Sequence, residues 1–486
     1  MVERYDLLMN IPLPKPFSAH STRFQPREIV VAALALAIVE LAWLVIDHTL
    51  RLYMGDSMMF VLSSTRLTGV ASRSFLYGWT LYLIPVTSTP MTILCVQTFW
   101  SALSALGLFV FLRHAIGLRF LASLIPALLF AVEPAQVFLV RLLMAETYGL
   151  LAFVCTLLVL ARYLHNGKLG WYLLACLGGL ATASIRTSLL PVVIGLCTLA
   201  PIIHVFLRRA PAIAVRPPGW YIPAALAILL TCHVGYMHAY GWATKQPPGY
   251  LATTGMMRIG LVAPLIRAED FAGTGVPGTV LDQVRRPLDD HWQRGNHIWM
   301  DDGLWRVLEN NSHDPEMVAR TITRRAMLRN PIGLLRINIE TLAGYFDPHR
   351  SYWRMLDDIG VIAPSRDDIA LVRTAMHWDP SGVNQLETPA RRYFAASKWW
   401  LTACLFLLAP LALATLVIGW RTPNREQYVL LAMASLGLVA SHLLFAHIIS
   451  YRYLHPFPWF VLANLAVIID GAWRHRQVPA PRPGRG

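Results

Sequence analysis

Long runs almost free of charge limit this chain more than any other feature. They lie at 29–46, 93–112, 118–135, 146–164, 170–185, 189–207, 220–240, 398–420, 428–449 and 456–471. A bilayer core about 30 Å thick takes about 20 apolar residues as one helix. Only 14% of the residues are charged, where a soluble domain carries about 25%. The runs therefore predict an all-α polytopic membrane protein with about ten transmembrane helices. The third run is irregular: Pro126 interrupts it and Glu133-Pro134 ends it. A broken helix is tolerated at membrane depth where it lines protein or a wet cavity. The polar lead to about Pro26 places the first apolar run too late for a signal peptide, so it reads as a retained helix.

Charge then sets the layout. The net charge is +14, which in a soluble chain would point to nucleic acid. Its distribution excludes that reading. Residues 241–397 hold 18 Lys/Arg against 18 Asp/Glu, leaving 24 of the 42 basic and 10 of the 28 acidic residues elsewhere. Excess basic charge beside apolar runs sets topology and meets anionic headgroups. With the N-terminus inside, the inner connections carry Lys15, Arg23, Arg27, Arg113, Arg119, Arg162, Lys168, Arg208, Arg209, Arg216, Arg421, Arg425, Arg474 and Arg476. The short outer connections carry only Arg141, Arg186 and Arg452.

The division that follows is a membrane module at 1–240 with about seven helices, an extracytoplasmic domain at 241–397, about three further helices at 398–472, and a cytoplasmic tail at 473–486. The first outer loop, 47–92, includes Arg51, Arg66 and Arg73, and its segments around Met58–Leu62 and Phe75–Trp79 read as interfacial helices. The 241–397 domain is small and mostly helical, with its best helices at Pro315–Leu328 and Ile332–Phe346. Asp314 should cap the first, with Pro315 at its first position. All six cysteines fall in apolar runs, so no disulfide framework is implied.

Charged groups at membrane depth are functional candidates. The predicted topology brings several to the outer face: Asp56 after the first helix, Glu146 at the mouth of the fourth, Arg186 between the fifth and sixth, and Arg452 with Tyr453 between the last two. His442 and His447 lie in the outer half of the ninth run, five residues apart, and read as hydrogen-bonded helix residues. Glu40 and Asp470 read as structural. Each candidate also has a plain structural role. Asp56 or Glu146 would cap a helix, Glu146 would pair with Arg141, Arg186 and Arg452 would be interfacial anchors, and Tyr451 and Tyr453 would join an aromatic belt. As a set, they suit transfer of a sugar from a lipid phosphate. A carboxylate can take the acceptor's proton, and arginine binds phosphate oxygens bidentately.

At these residues the chain resembles the GT-C superfamily of membrane glycosyltransferases, in the polyprenyl-phosphate-sugar-dependent branch related to protein O-mannosyltransferases and the aminoarabinose transferase of lipid A. Four pieces carry the resemblance: Gly55-Asp56-Ser57 in the first outer loop, Ala145-Glu146-Thr147 opening the fourth helix, the small-residue run Gly178–Thr187 with Arg186, and Arg452-Tyr453-Leu454-His455-Pro456 before the last helix. Ser57 follows Asp56 where many relatives have a second carboxylate. The resemblance implies an inverting transferase of the bacterial inner membrane, acting on a polyprenyl-phosphate-linked sugar and on a glycan, lipid or protein acceptor at the periplasmic face. Asp56 would be the general base and Glu146 would orient the acceptor. Arg186 and Arg452 would hold the donor phosphate, with Tyr453 and Lys245 as further substrate contacts. No cofactor is expected; a divalent cation shared by Asp56 and Glu146 is the lesser alternative. Two other functions share the many helices and the polar face: a transporter or flippase of lipid-linked or small solutes, and a membrane glycan polymerase or ligase using polyprenyl-diphosphate donors.

Overall fold

A computed structural model of the chain describes residues 25–53, 55–66, 75–84, 89–207 and 218–476. The membrane part opens with α1 (Pro26–Ile46), α2 (Asp56–Arg66), α3 (Phe75–Leu83), α4 (Pro90–Val110), α5 (Phe120–Ala131), α6 (Pro134–Leu139), α7 (Glu146–Asn166), α8 (Leu169–Ile185), α9 (Leu190–Leu207) and α10 (Tyr221–Thr244). There follow the shorter helices α11 (Thr254–Val262), α12 (Asn296–Trp299), α13 (Leu304–Asn311), α14 (Pro315–Arg329), α15 (Pro331–Ala343), α16 (Pro348–Ile359), α17 (Arg366–Met376) and α18 (Pro389–Ala396). The chain closes with α19 (Lys398–Gly419), α20 (Arg425–Phe445) and α21 (Phe457–Arg476). Among the described residues, the only extended pairing is an isolated bridge between Arg51 and Leu142.

Eight of the described helices are long and apolar enough to cross a membrane: α1, α4, α7, α9, α10, α19, α20 and α21. The third and fifth predicted runs form the shorter apolar helices α5 and α8. The sequence explains the first of these. Glu133 leaves the helix and caps α6, accepting a bond from the Gln136 amide at 2.8 Å, and Pro134 starts that new helix. The surface of α1 is the inverse of a soluble helix. Val30, Leu34, Ile38, Leu41 and Val45 are exposed at helical spacing, while Ala32, Leu36 and Glu40 are buried. A stripe of exposed aliphatic groups opposite a buried carboxylate is stable in lipid, not in water. The chain is a multi-pass membrane protein.

The bundle packs α7 against α8, α4 and α9, and α19 against α20 and α21. Its core, with Phe109, Phe130 and Trp459, extends without a break into Tyr345, Met355, Ile359 and Phe394 of the intervening segment. That segment also has a core of its own around Val262, Leu308 and Ile322. Asp314 caps α14 as expected, accepting from the Met317 amide at 2.9 Å. The expected helix at Ile332–Phe346 is α15, finished by a 3-10 turn at Gly344–Phe346. Both loop segments read as interfacial form helices, α2 and α3. Lys15, Arg23, Arg73, Arg208, Arg209 and Arg216, which served the topology, lie outside the described residues.

Candidate active site

Four of the predicted residues reach one cluster because helix ends deliver them there. Asp56 is the first residue of α2, placed after Gly55 in a left-handed conformation (φ 69°). Glu146 is the first residue of α7. Both carboxylates sit at helix N-termini, where the backbone dipole favours negative charge. Arg186 ends α8, and Arg452 opens the 3-10 turn Arg452–Leu454 ahead of α21. Gly149 makes room for Arg186: a Cβ there would stand 3.0 Å from the arginine's own Cβ.

Arg452 is the centre. Its Nη1 donates to Glu146 Oε1 at 3.3 Å and to Asp56 Oδ2 at 3.5 Å. Its guanidinium lies over the Tyr53 ring, 3.7 Å from the centroid, with Tyr453 farther off at 5.9 Å. The third carboxylate comes from the intervening segment and was not foreseen. Asp358, in the last turn of α16, stands 3.4 Å from Arg452 Nε. A carboxylate at a helix C-terminus opposes the dipole, so it needs donors from elsewhere. The turn between α20 and α21 supplies them: Ser450 Oγ donates to Oδ1 at 3.0 Å, and the Tyr451 and Arg452 amides donate to Oδ2. Burial still pushes the Asp358 carboxyl up to about 6, with Arg452 pulling the other way. The only sequence trace of Asp358 is Asp357-Asp358 shortly before Gly360, which resembles any solvated helix end.

The cluster therefore sets three carboxylates against two guanidiniums. Arg452 and Glu146 are each 5% exposed, Asp358 3% and Arg186 9%. Buried charges persist only when paired and hydrogen-bonded, and the contacts above meet that need for Arg452. The Asp56 side chain retains 20% exposure, against 6% for Glu146 and 4% for Asp358, so the cage opens at Asp56. Arg186 is held by one bond to the Arg452 carbonyl (3.0 Å, from Nη2) and one to Ser188 Oγ (3.2 Å, from Nε). Its buried Nη1 has no hydrogen-bond partner.

The other expectations divide. Glu146 does not pair with Arg141, which instead faces Asp47 at 3.8 Å and donates to the carbonyls of Trp43, Val137 and Asp47. Lys245 is exposed at the end of α10, and no ion pair or hydrogen bond among the described residues ties it to the cluster. His442 is buried and bonds Tyr345 Oη at 3.1 Å. His447 is not in a helix, because α20 ends at Phe445; it sits in the connection that follows. Glu40 accepts from Ser101, and Asp470 pairs with Arg119 and Arg474, so both have structural partners as read. A polar string runs inward from His455 through Gln136 to Ser101 and Glu40. Gln136 and Ser101 drew no attention in the sequence because each is a single polar residue among apolar ones, and His455 stood out only as part of the Arg452–Pro456 element.

Among the described residues, no group of three or more His, Cys, Asp and Glu side chains is arranged to hold a metal ion. No family model and no curated protein matches the chain.

Proposed function

We propose that the protein is an inverting glycosyltransferase that moves a sugar from a polyprenyl-phosphate-linked donor to an acceptor on the outer side of a bacterial inner membrane. On this reading α5 and α8 complete ten spans, and residues 241–397 face the periplasm. The observation that carries the proposal is the gathering of Asp56, Glu146, Arg186 and Arg452 from four distant parts of the chain into one cluster with a single more exposed carboxylate.

The chemistry assigns different tasks to these groups. Asp56, at the open edge, accepts the proton from the acceptor hydroxyl or amine as that atom forms its bond to the anomeric carbon. The bond from the anomeric carbon to the phosphate oxygen breaks with its electron pair on the phosphate, so polyprenyl phosphate leaves and the configuration inverts. A phosphate leaving group needs little protonation and needs cations to hold its charge. Arg186 suits that task best, because its Nη1 is not committed. Arg452 is already matched by carboxylates, so its task is to position Glu146 and Asp56 and to keep the local charge near balance. Lys245 contributes no step. The test is transfer of sugar from a synthetic polyprenyl-phosphate donor by purified protein. A D56N protein that folds normally and keeps full turnover would remove Asp56 from the base role, and wild-type protein inert toward such donors would count against the reading.

A further inference from the structure

A cavity of about 520 Å³ lies behind the Arg452 cage, between α12, α15, α16 and the connection from α20 to α21. It shares walls with the cage. Asp357 lines the cavity and its neighbour Asp358 takes Arg452; Ile449 lines the cavity and its neighbour Ser450 donates to Asp358. Of the 14 lining residues only Met300, Ile448 and Ile449 are aliphatic. The rest hydrogen-bond, carry charge or present rings, which is a poor surface for acyl chains and a good one for a hydroxylated ring.

Two features define the guest. The first is cationic. Arg350 and Arg354 reach the cavity one helical turn apart on α16, against the single lining carboxylate Asp357. Arg350 Nε is tied to Asp347 at 3.2 Å and Arg354 Nη1 to Asp357 at 3.2 Å. Each guanidinium has five N–H donors, so each keeps several for an anion. Arg294 stands just behind, 0% exposed, bonded through Nη2 to Thr341 Oγ1 and through Nε to the His447 carbonyl. Its Nη1 is buried without a hydrogen-bond partner. Burial, with the charges of Arg294 and Arg354, holds the His447 imidazole down at about 4. The second feature is aromatic. Trp292 is fixed between Gly344, where a Cβ would meet its ring at 2.5 Å, and Arg350, whose guanidinium lies 3.5 Å from the ring centroid. Trp353 is 55% exposed and offers a broad apolar face. The amides of Gln293 and Asn296 add donors and acceptors along the same wall.

We infer that this cavity is a binding site for an acidic saccharide, its carboxylate or phosphate held by Arg350 and Arg354 and its ring laid against Trp353. The inference rests on the cavity alone and stands whether or not the Arg452 cluster transfers sugar. If both hold, this is where an acidic acceptor is anchored.

The experiment reads binding, not turnover, so its failure is separable from failure of the transferase reading. Purified full-length protein in zwitterionic nanodiscs is titrated with tri-galacturonate and with glucose 6-phosphate, with maltotriose and glucose as uncharged matches, by saturation-transfer NMR and calorimetry. Each acidic probe should bind at least about tenfold tighter than its match, and the R350Q/R354Q double variant should lose that preference. W353A should weaken acidic and uncharged saccharides alike. Thermal unfolding of each variant checks that the fold is kept. Should R350Q/R354Q disturb it, N296A serves instead and should weaken both acidic probes severalfold. Equal binding of charged and uncharged probes overturns the inference, as does an unchanged preference in a folded double variant. Loss of saccharide binding in phosphatidylglycerol nanodiscs would overturn it in favour of a lipid-headgroup site.

Discussion

Asp358 offers the sharpest test of how the membrane cluster is held together. It is 3% exposed and receives Ser450 Oγ, two backbone amides and Arg452 Nε. In D358A all four donors lose their acceptor inside a buried site, and removing one partner of a buried pair costs about 3–5 kcal/mol. D358N is milder. The amide oxygen still accepts from the Tyr451 N–H, Ser450 can turn its hydroxyl, and only the face toward Arg452 becomes donor against donor. Its loss should be about 1–3 kcal/mol. R452Q leaves three carboxylates without their cation and should cost at least as much as D358A. Because the two residues share one network, R452Q and D358N together should cost less than the sum of the singles by about 1–3 kcal/mol. Chemical unfolding in detergent, followed by tryptophan fluorescence, gives all four corners of the cycle. Additivity within about 0.5 kcal/mol, or a D358A protein as stable as wild type, would refute the argument that α16 is held to the membrane bundle through Arg452.

Four further outcomes are expected. D56N should lower turnover about 10²–10⁴-fold with little change in donor affinity, read from initial rates and donor titration. R186K, which keeps the charge but loses the fork geometry, should raise the KM for donor at least about tenfold while the unfolding midpoint stays put. His447 has an imidazole held down at about 4, beside Arg294 and Arg354. Its contribution to stability is therefore full above the unfolded value of about 6.5 and is lost as pH falls through 4, so stability below pH 6 should decline more steeply in wild type than in H447N. Gly255 faces α14, and a Cβ there would stand 2.7 Å from both Arg320 N and Glu316 O. G255A should accordingly lower stability by about 1–3 kcal/mol, measured by the same unfolding assay.

What the sequence disclosed follows the range of the forces involved. Apolar runs are local, and so are caps: the eight long apolar helices, the Asp314 cap and the break at Glu133-Pro134 were all legible. Asp56, Glu146, Arg186 and Arg452 were legible as candidates because a charge beside an apolar run stands out against it. Asp358 was not, for the converse reason. Residues 241–397 hold 13 Asp and 5 Glu, and nothing local separates the one that turns inward from those that stay in water. Its burial is decided by donors 92 to 94 residues away. The same holds for Arg452. Its type pointed to phosphate binding, whereas its partners, three carboxylates from three parts of the chain, show that its charge is already answered. The span count was blurred by α8, whose 17 residues are close to the length at which a helix crosses or stops short.

The shared walls of cage and cavity have a mechanical consequence. Asp357 and Asp358 are adjacent on the last turn of α16, one facing the cavity and tied to Arg354, the other facing the cage and tied to Arg452. A helix turn is stiff, so a ligand that draws Arg354 away from Asp357 acts on the same turn that carries Asp358. Movement of Asp358 would change how Arg452 divides its donors, because Nη1 serves Asp56 at 3.5 Å and Glu146 at 3.3 Å while Nε faces Asp358. The longest of these contacts belongs to the most exposed carboxylate, Asp56, so a small shift of Arg452 is felt there first. Ligand in the cavity would then alter the readiness of Asp56 to take a proton without touching it. Such coupling is reciprocal: if it operates, D56N must change affinity for tri-galacturonate in the cavity, and unchanged affinity in a folded D56N protein would show the two sites to be independent.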